Sequence, residues 1–125
     1  MKIVIDTTPH ADQRYPTVGD WWVEDDGTWH IRVSDMGDWR YELLVALHEL
    51  VEFAICQHEK VSEQEITAFD VAFEKRRPEG NVDEPGDEPA APYQREHCIA
   101  TGVERIVAAL LGVKWKEYDE KVNSL

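Results

Sequence analysis

Between Lys2 and Thr8 the apolar Ile3 and Ile5 alternate with Lys2, Val4 and Asp6, a two-residue period that predicts a short strand closed by Pro9. The residues from there to Asp20 carry no clear period and read as irregular. Trp21-Trp22-Val23 then runs into Asp25-Asp26-Gly27, and Trp29-His30-Ile31-Arg32-Val33 alternates again. Two short alternating runs around an Asp-Gly turn predict an antiparallel hairpin over Trp21 to Val33. The cluster Ser34-Asp35-Met36-Gly37-Asp38 ends it with turn and cap residues, and the period changes at once.

From Trp39 to Glu59 there is neither Gly nor Pro, and Leu43, Leu44, Leu47, Leu50, Val51, Ala54 and Ile55 recur at helical spacing. A second helix is predicted from Ser62, with Glu65 at the capping-box position, through Ile66, Phe69 and Phe73 to about Arg77. The stretch RRPEGNVDEPGDEPAAP carries four prolines and two glycines, so a flexible acidic loop is expected at about 78–92. A third helix spans about Tyr93 to Leu111, with Ile99, Val103, Ile106, Val107 and Leu110 as its expected core-facing arc, and a last short helix covers Lys114 to Val122. The pattern predicts an α+β fold: a small antiparallel sheet packed on three main helices.

Length fits this outline, since 125 residues make roughly one ordinary domain that folds without a disulfide framework or a structural metal. A single domain is therefore expected over 1–125. Charge narrows the partners. With 13 Lys plus Arg against 26 Asp plus Glu the formal charge is -13, which repels phosphate backbones and anionic headgroups and argues against nucleic-acid and membrane binding. No signal-peptide core or membrane-span pattern is present, and Cys56 and Cys98 read as reduced, packed thiols, so a cytoplasmic location is expected. Trp21, Trp22, Trp29 and Trp39 read as packing between sheet and helices. His10, His30 and His58 have no spaced ligand partner and read as surface or hairpin residues.

The candidate chemistry lies in Leu47-His48-Glu49-Leu50-Val51-Glu52. At about 100° per residue His48 and Glu52 share one face of the first long helix, one turn apart and inside its apolar arc, while Glu49 falls at the margin toward solvent. An imidazole and a carboxylate in an apolar stripe must be paired, neutralised or bound to a metal, because an unpaired buried charge is costly. The sequence Arg95-Glu96-His97-Cys98 opens the third helix, where Glu96 projects near the centre of the arc and His97 at its edge beside Thr101 and Glu104. Either can reach the first helix. Asp70, between Ile66 and Phe73 on the second helix, is a further candidate as ligand or as a partner fixing a His tautomer. A purely structural arrangement would instead pair His48, Glu52 and Glu96 with Arg40 or Arg95 in a satisfied network.

The HExxE spacing resembles the HExxH helix of the zincin metallopeptidases, in their minimal forms a hairpin, the motif helix and a later helix bearing the third ligand. The layout also looks like that of small phage proteins with an HExxE-type helix. The resemblance implies zinc as cofactor, with His48 as first ligand, Glu52 in place of the second His, His97 as third ligand and Glu49 as the general base for a water held by the metal. It further implies a peptide or protein substrate. The chain departs from the family in Glu52 itself, which could mark a catalytically degenerate enzyme, and in the 45 residues between Glu52 and His97. Two other functions are open. Glu49, Glu52, Asp70, Glu74 and Glu96 on successive helices resemble the acidic helices of magnesium-dependent nucleoside triphosphate pyrophosphohydrolases. The charge alone would suit a non-catalytic acidic interaction protein that binds a basic partner or mimics DNA, and exposed aromatics near the hairpin would suit a dimer.

Overall fold

The alternating runs form β1 (Ile3–Thr8), β2 (Gly19–Val23) and β3 (Trp29–Ser34), and a computed structural model, which describes residues 1–125, joins them in one sheet of order β1-β3-β2. β2 and β3 are the expected antiparallel pair, with Trp21 opposite Ile31. β1 runs parallel to β3, Ile5 opposite Ile31 and Thr7 opposite Val33, so the sheet is mixed where an antiparallel one was expected. The cause is topological: residues 9–18 carry the chain across to the far edge before the hairpin begins, and β1 is left on the other side of the central strand.

Ile31 and Val33 are fully buried under the first helix, α1 (Trp39–Glu59), which packs on β2 and β3 with one side and more extensively on a later helix with the other. Phe53 of α1 is the keystone of that layer, with Trp21 stacked on it and Trp29 tilted against it, each at 4.2 Å between ring centroids. Because β1 lies past the edge of this layer, Ile3 and Ile5 stay exposed. Trp22 stacks on His30 at 4.2 Å beside the Arg32–Asp6 pair, whereas Trp39 is 64% exposed and packs no sheet.

The helix boundaries have local causes. Asp38 caps α1 by accepting from the Arg40 backbone N–H at 3.0 Å, and Lys60, at φ 61°, ends it in the left-handed region. Ser62 and Glu65 make both bonds of the expected capping box at the start of α2 (Glu63–Arg76). The third and fourth helices are α3 (Gln94–Leu110) and α4 (Trp115–Val122), and α3 lies along α1. The acidic segment expected to be a flexible loop is anchored instead: Pro85–Asp87 forms a 3-10 turn against α2 and α3, and Gly86 and Ala91 are buried. Cys56 is packed as expected, but Cys98 is exposed. No helix is long and apolar enough to cross a membrane.

Candidate metal centre

α3 turns a different face to the core from the one its apolar arc suggests. It buries Glu96, His97, Ala100, Glu104 and Ala108 and leaves Ile99, Ile106 and Leu110 at the surface. The reason is what faces it. α1 offers His48 and Glu52 at this contact, both buried, and buried polar groups demand polar partners. Small Ala100 and Ala108 let the two helices close around that polar cluster.

Within it the side chains converge. His48 Nε2 lies 3.4 Å from Glu52 Oε2 and 3.0 Å from His97 Nδ1, and His97 Nδ1 lies 3.1 Å from the same Glu52 oxygen. These three donor atoms form a nearly equilateral triangle. A tetrahedral zinc with bonds of about 2.0–2.1 Å holds its ligand atoms ~3.3 Å apart, so the triangle has the dimensions of one face of such a site. His48, Glu52 and His97 can therefore take a common metal, with His/His/carboxylate chemistry of the kind that suits zinc.

Each imidazole is also held from behind. His48 Nδ1 lies 2.9 Å from Glu104 Oε2, and the Tyr118 hydroxyl of α4 donates to the other Glu104 oxygen. A carboxyl that accepts from Nδ1–H leaves Nε2 bare and aimed at the triangle. His97 Nε2 lies 2.9 Å from Glu84 Oε2 and 3.4 Å from Asp87 Oδ1, both on the acidic turn. Neither Glu104 nor Tyr118 was identified as a site residue from the sequence. The available signal was the seven-residue spacing of His97 and Glu104, which puts them on one face of a helix two turns apart.

The electrostatics follow from burial among carboxylates. Burial alone would push His48 and His97 down, but Glu104 and Glu52 hold His48 well above its ordinary value, and Glu52 and Glu84 raise His97 to about 10. Burial pushes Glu52 up, yet its hydrogen bonds with both imidazoles outweigh this and hold it below the usual carboxyl range. Glu49 has no such partner, and burial together with the neighbouring Glu52 charge keeps it well above its ordinary value.

Glu49 does not point to open solvent, as its place on the helical wheel suggests. Its carboxyl is packed against the β2 backbone at Gly19, where a Cβ would come within 2.4 Å of Oε1. A side chain at 19 would displace Glu49 from this contact. Glu49, His48, Glu52 and His97 all line one cleft of about 360 Å³, whose walls include Tyr15, Asp20, Glu63 and Thr67.

The other candidates lie elsewhere. Asp70 lines the cleft but accepts from the Tyr93 hydroxyl at 2.5 Å and fixes neither His, and burial raises it to about 7 despite that bond. Glu96 is buried outside the cleft lining, with Arg95 at 3.6 Å, so His97 rather than Glu96 reaches the α1 pair. Glu74 is paired with Arg77 at 2.7 Å. The five acids of the magnesium reading thus do not gather around one point. Of the arginine-paired network only the Glu96–Arg95 pair forms; Arg40 bonds Asp38, and His48 and Glu52 pair with Glu104 and His97 instead. No family model, curated protein or solved structure matches the chain.

Proposed function

We propose that the protein is a zinc-dependent hydrolase of the metallopeptidase type, in which His48, Glu52 and His97 hold the metal and Glu49 carries the proton. The observation that carries this reading is the triangle of His48 Nε2, Glu52 Oε2 and His97 Nδ1, with sides of 3.0, 3.1 and 3.4 Å, assembled from two helices in a buried wall of an open cleft. When bound, zinc would supply a Lewis acid that polarises a carbonyl and makes water nucleophilic near neutral pH.

The remaining work belongs to the chain. Three protein ligands would be one fewer than a closed structural zinc site has, as catalytic sites require. Glu49 follows His48 directly, and its carboxyl lies against the β2 backbone at Gly19. Its raised proton affinity comes from burial and from Glu52, and a dication beside Glu52 would offset that charge and favour the ionised carboxylate that a general base requires. The cleft admits a substrate segment, and its acidic walls favour peptides with basic side chains.

The alternative, an acidic interaction protein, accounts for the charge of -13 but gives the buried convergence no use. Metal analysis by mass spectrometry on protein purified without a metal-affinity tag separates the two. Near one zinc per chain, lost in His48→Ala, with peptide hydrolysis lost in Glu49→Gln while zinc stays bound, is the expected result. No zinc uptake even after zinc addition would overturn the reading.

A further inference from the structure

The two imidazoles of the triangle are held in different ways. His48 is backed by Glu104 and Tyr118, all three buried and all on helices. His97 is backed only by the short turn Pro85–Asp87 and the residue before it, in a segment whose composition reads as disordered. Yet the fit there is as close as that of Gly19 on Glu49. A Cβ on Gly86 would lie 2.4 Å from His97 Cγ and 2.5 Å from Nδ1, so the Gly86 backbone is pressed onto the face of the ring. On the ring's outer side Nε2 is buried and lacks an in-line hydrogen bond, although Glu84 Oε2 stands 2.9 Å away and Asp87 Oδ1 3.4 Å away. A buried ring nitrogen without a partner is costly, and the two carboxyls beside it are the means of removing that cost.

Resting on the zinc reading above, we propose that the Glu84–Asp87 turn is the positioning element for the third ligand: Gly86 sets the plane of the His97 ring and Glu84, flanked by Asp87, accepts from Nε2–H, which leaves Nδ1 bare for the metal. Glu84 and Asp87 are positioning residues and touch no substrate in this scheme. The geometry explains why glycine stands at 86, because any side chain would push the ring out of line with Glu52. It also explains why acids flank it. Glu84 is 46% exposed, so its carboxyl gains little from the fold itself and its value lies in the bond to His97. The same three groups, Glu84, Asp87 and His97 Nε2, have donor atoms close enough to hold a cation of their own, and that is the competing use of the cluster.

The test is zinc affinity, by competition with a chromophoric chelator, and the visible spectrum of the cobalt-substituted full-length protein. Variants are Glu84→Ala, Glu84→Gln and Gly86→Ala, with Glu88→Ala, an exposed acid of the same segment, as control. Loss of the outer partner of a metal-bound His weakens metal binding about 10- to 100-fold, which is the expectation for Glu84→Ala. Glu84→Gln, whose amide oxygen still accepts, should recover part of it, and Glu88→Ala should match the parent. Gly86→Ala should weaken zinc at least as much and change the cobalt spectrum, a signature that a merely structural role in the turn would not produce.

Parent-like affinity and spectrum in both Glu84→Ala and Gly86→Ala, with zinc still lost in His48→Ala, would overturn the positioning role and leave the zinc site standing. Two metals per chain, one of them lost in Glu84→Ala, would assign the turn to a second cation site and equally overturn it. A parent that takes up no zinc sinks both readings.

Discussion

His48 Nε2 and His97 Nδ1 face each other at 3.0 Å, so at most one of the two nitrogens carries a hydrogen. Glu104 and Glu52 raise His48, and Glu52 and Glu84 raise His97 to about 10, both against the effect of burial, so one hydrogen is shared between the facing nitrogens. The sign of its pH effect follows. A raised imidazole stabilises the metal-free fold fully below its ordinary value of 6.5, and the contribution is lost as pH rises to about 10. Zinc needs both nitrogens bare, so its uptake at pH 7 should release about one proton and its affinity should fall as pH falls. Calorimetry in buffers of different ionisation heat measures that count directly, and a value of zero would show that His97 is already neutral. Glu104 is a second test at this scale. Glu104→Gln and Tyr118→Phe should each reduce zinc affinity, Glu104→Gln by about 10-fold or more, while the cleft and Glu49 remain in place. Equilibrium dialysis of the two variants checks this. His48 and Glu52 were legible in the sequence because an i,i+4 polar pair inside an apolar stripe is conspicuous, whereas His97 stood beside Glu96 and Asp70 as an open choice. Glu104 was not, because a wheel that takes apolar residues as the buried arc leaves it at the edge.

At the scale of the helix the same error turns α3 by about a quarter of a turn. Of the expected arc Ile99, Val103, Ile106, Val107 and Leu110, Val107 packs against the core, yet Ile106 is 63% and Leu110 81% exposed, and the buried face is Glu96, His97, Ala100, Glu104 and Ala108. Amphipathic patterning assumes that the facing surface is apolar, and α1 breaks that assumption with His48 and Glu52. Periodicity therefore recovered the existence of every helix but not which side of α3 turns inward. The direction of β1 escaped for a related reason, since alternation identifies a strand and says nothing of whether its neighbour runs parallel. The rotation makes a sharp prediction. Ile106→Lys and Leu110→Lys should change stability by no more than about 0.5 kcal/mol, as surface substitutions do. Ala100→Leu, at a fully buried position where α3 meets α1, should cost about 1–3 kcal/mol by overpacking and should also spread the site. Urea unfolding of the three variants decides it, and a large loss in the lysine variants would mean that the apolar arc faces inward after all.

Across the whole molecule the charge of -13 and the buried site pull in the same direction. Glu49, Glu52 and Glu104 sit around one point, with Glu84 beside it, while the counter-charge available there is confined to the imidazoles. Such a centre stabilises the fold poorly by itself, because desolvated carboxyls offset most of what their hydrogen bonds contribute. A dication at the triangle would replace a shared proton with two charges and satisfy Glu52 directly. Binding to the folded chain alone then adds stability by mass action, about 4 kcal/mol when free zinc stands 1,000-fold above its dissociation constant. For a chain of 125 residues that should raise the midpoint of thermal unfolding by ~10 °C or more relative to chelator-treated protein. The effect should be absent in His48→Ala, and it should exceed whatever magnesium produces, since two nitrogen donors suit the softer metal. Salt supplies the control that separates specific from diffuse electrostatics. Screening of the surface acids should stabilise the chelator-treated chain with or without His48, whereas a zinc response that disappeared in moderate salt would come from the acidic surface and not from the triangle.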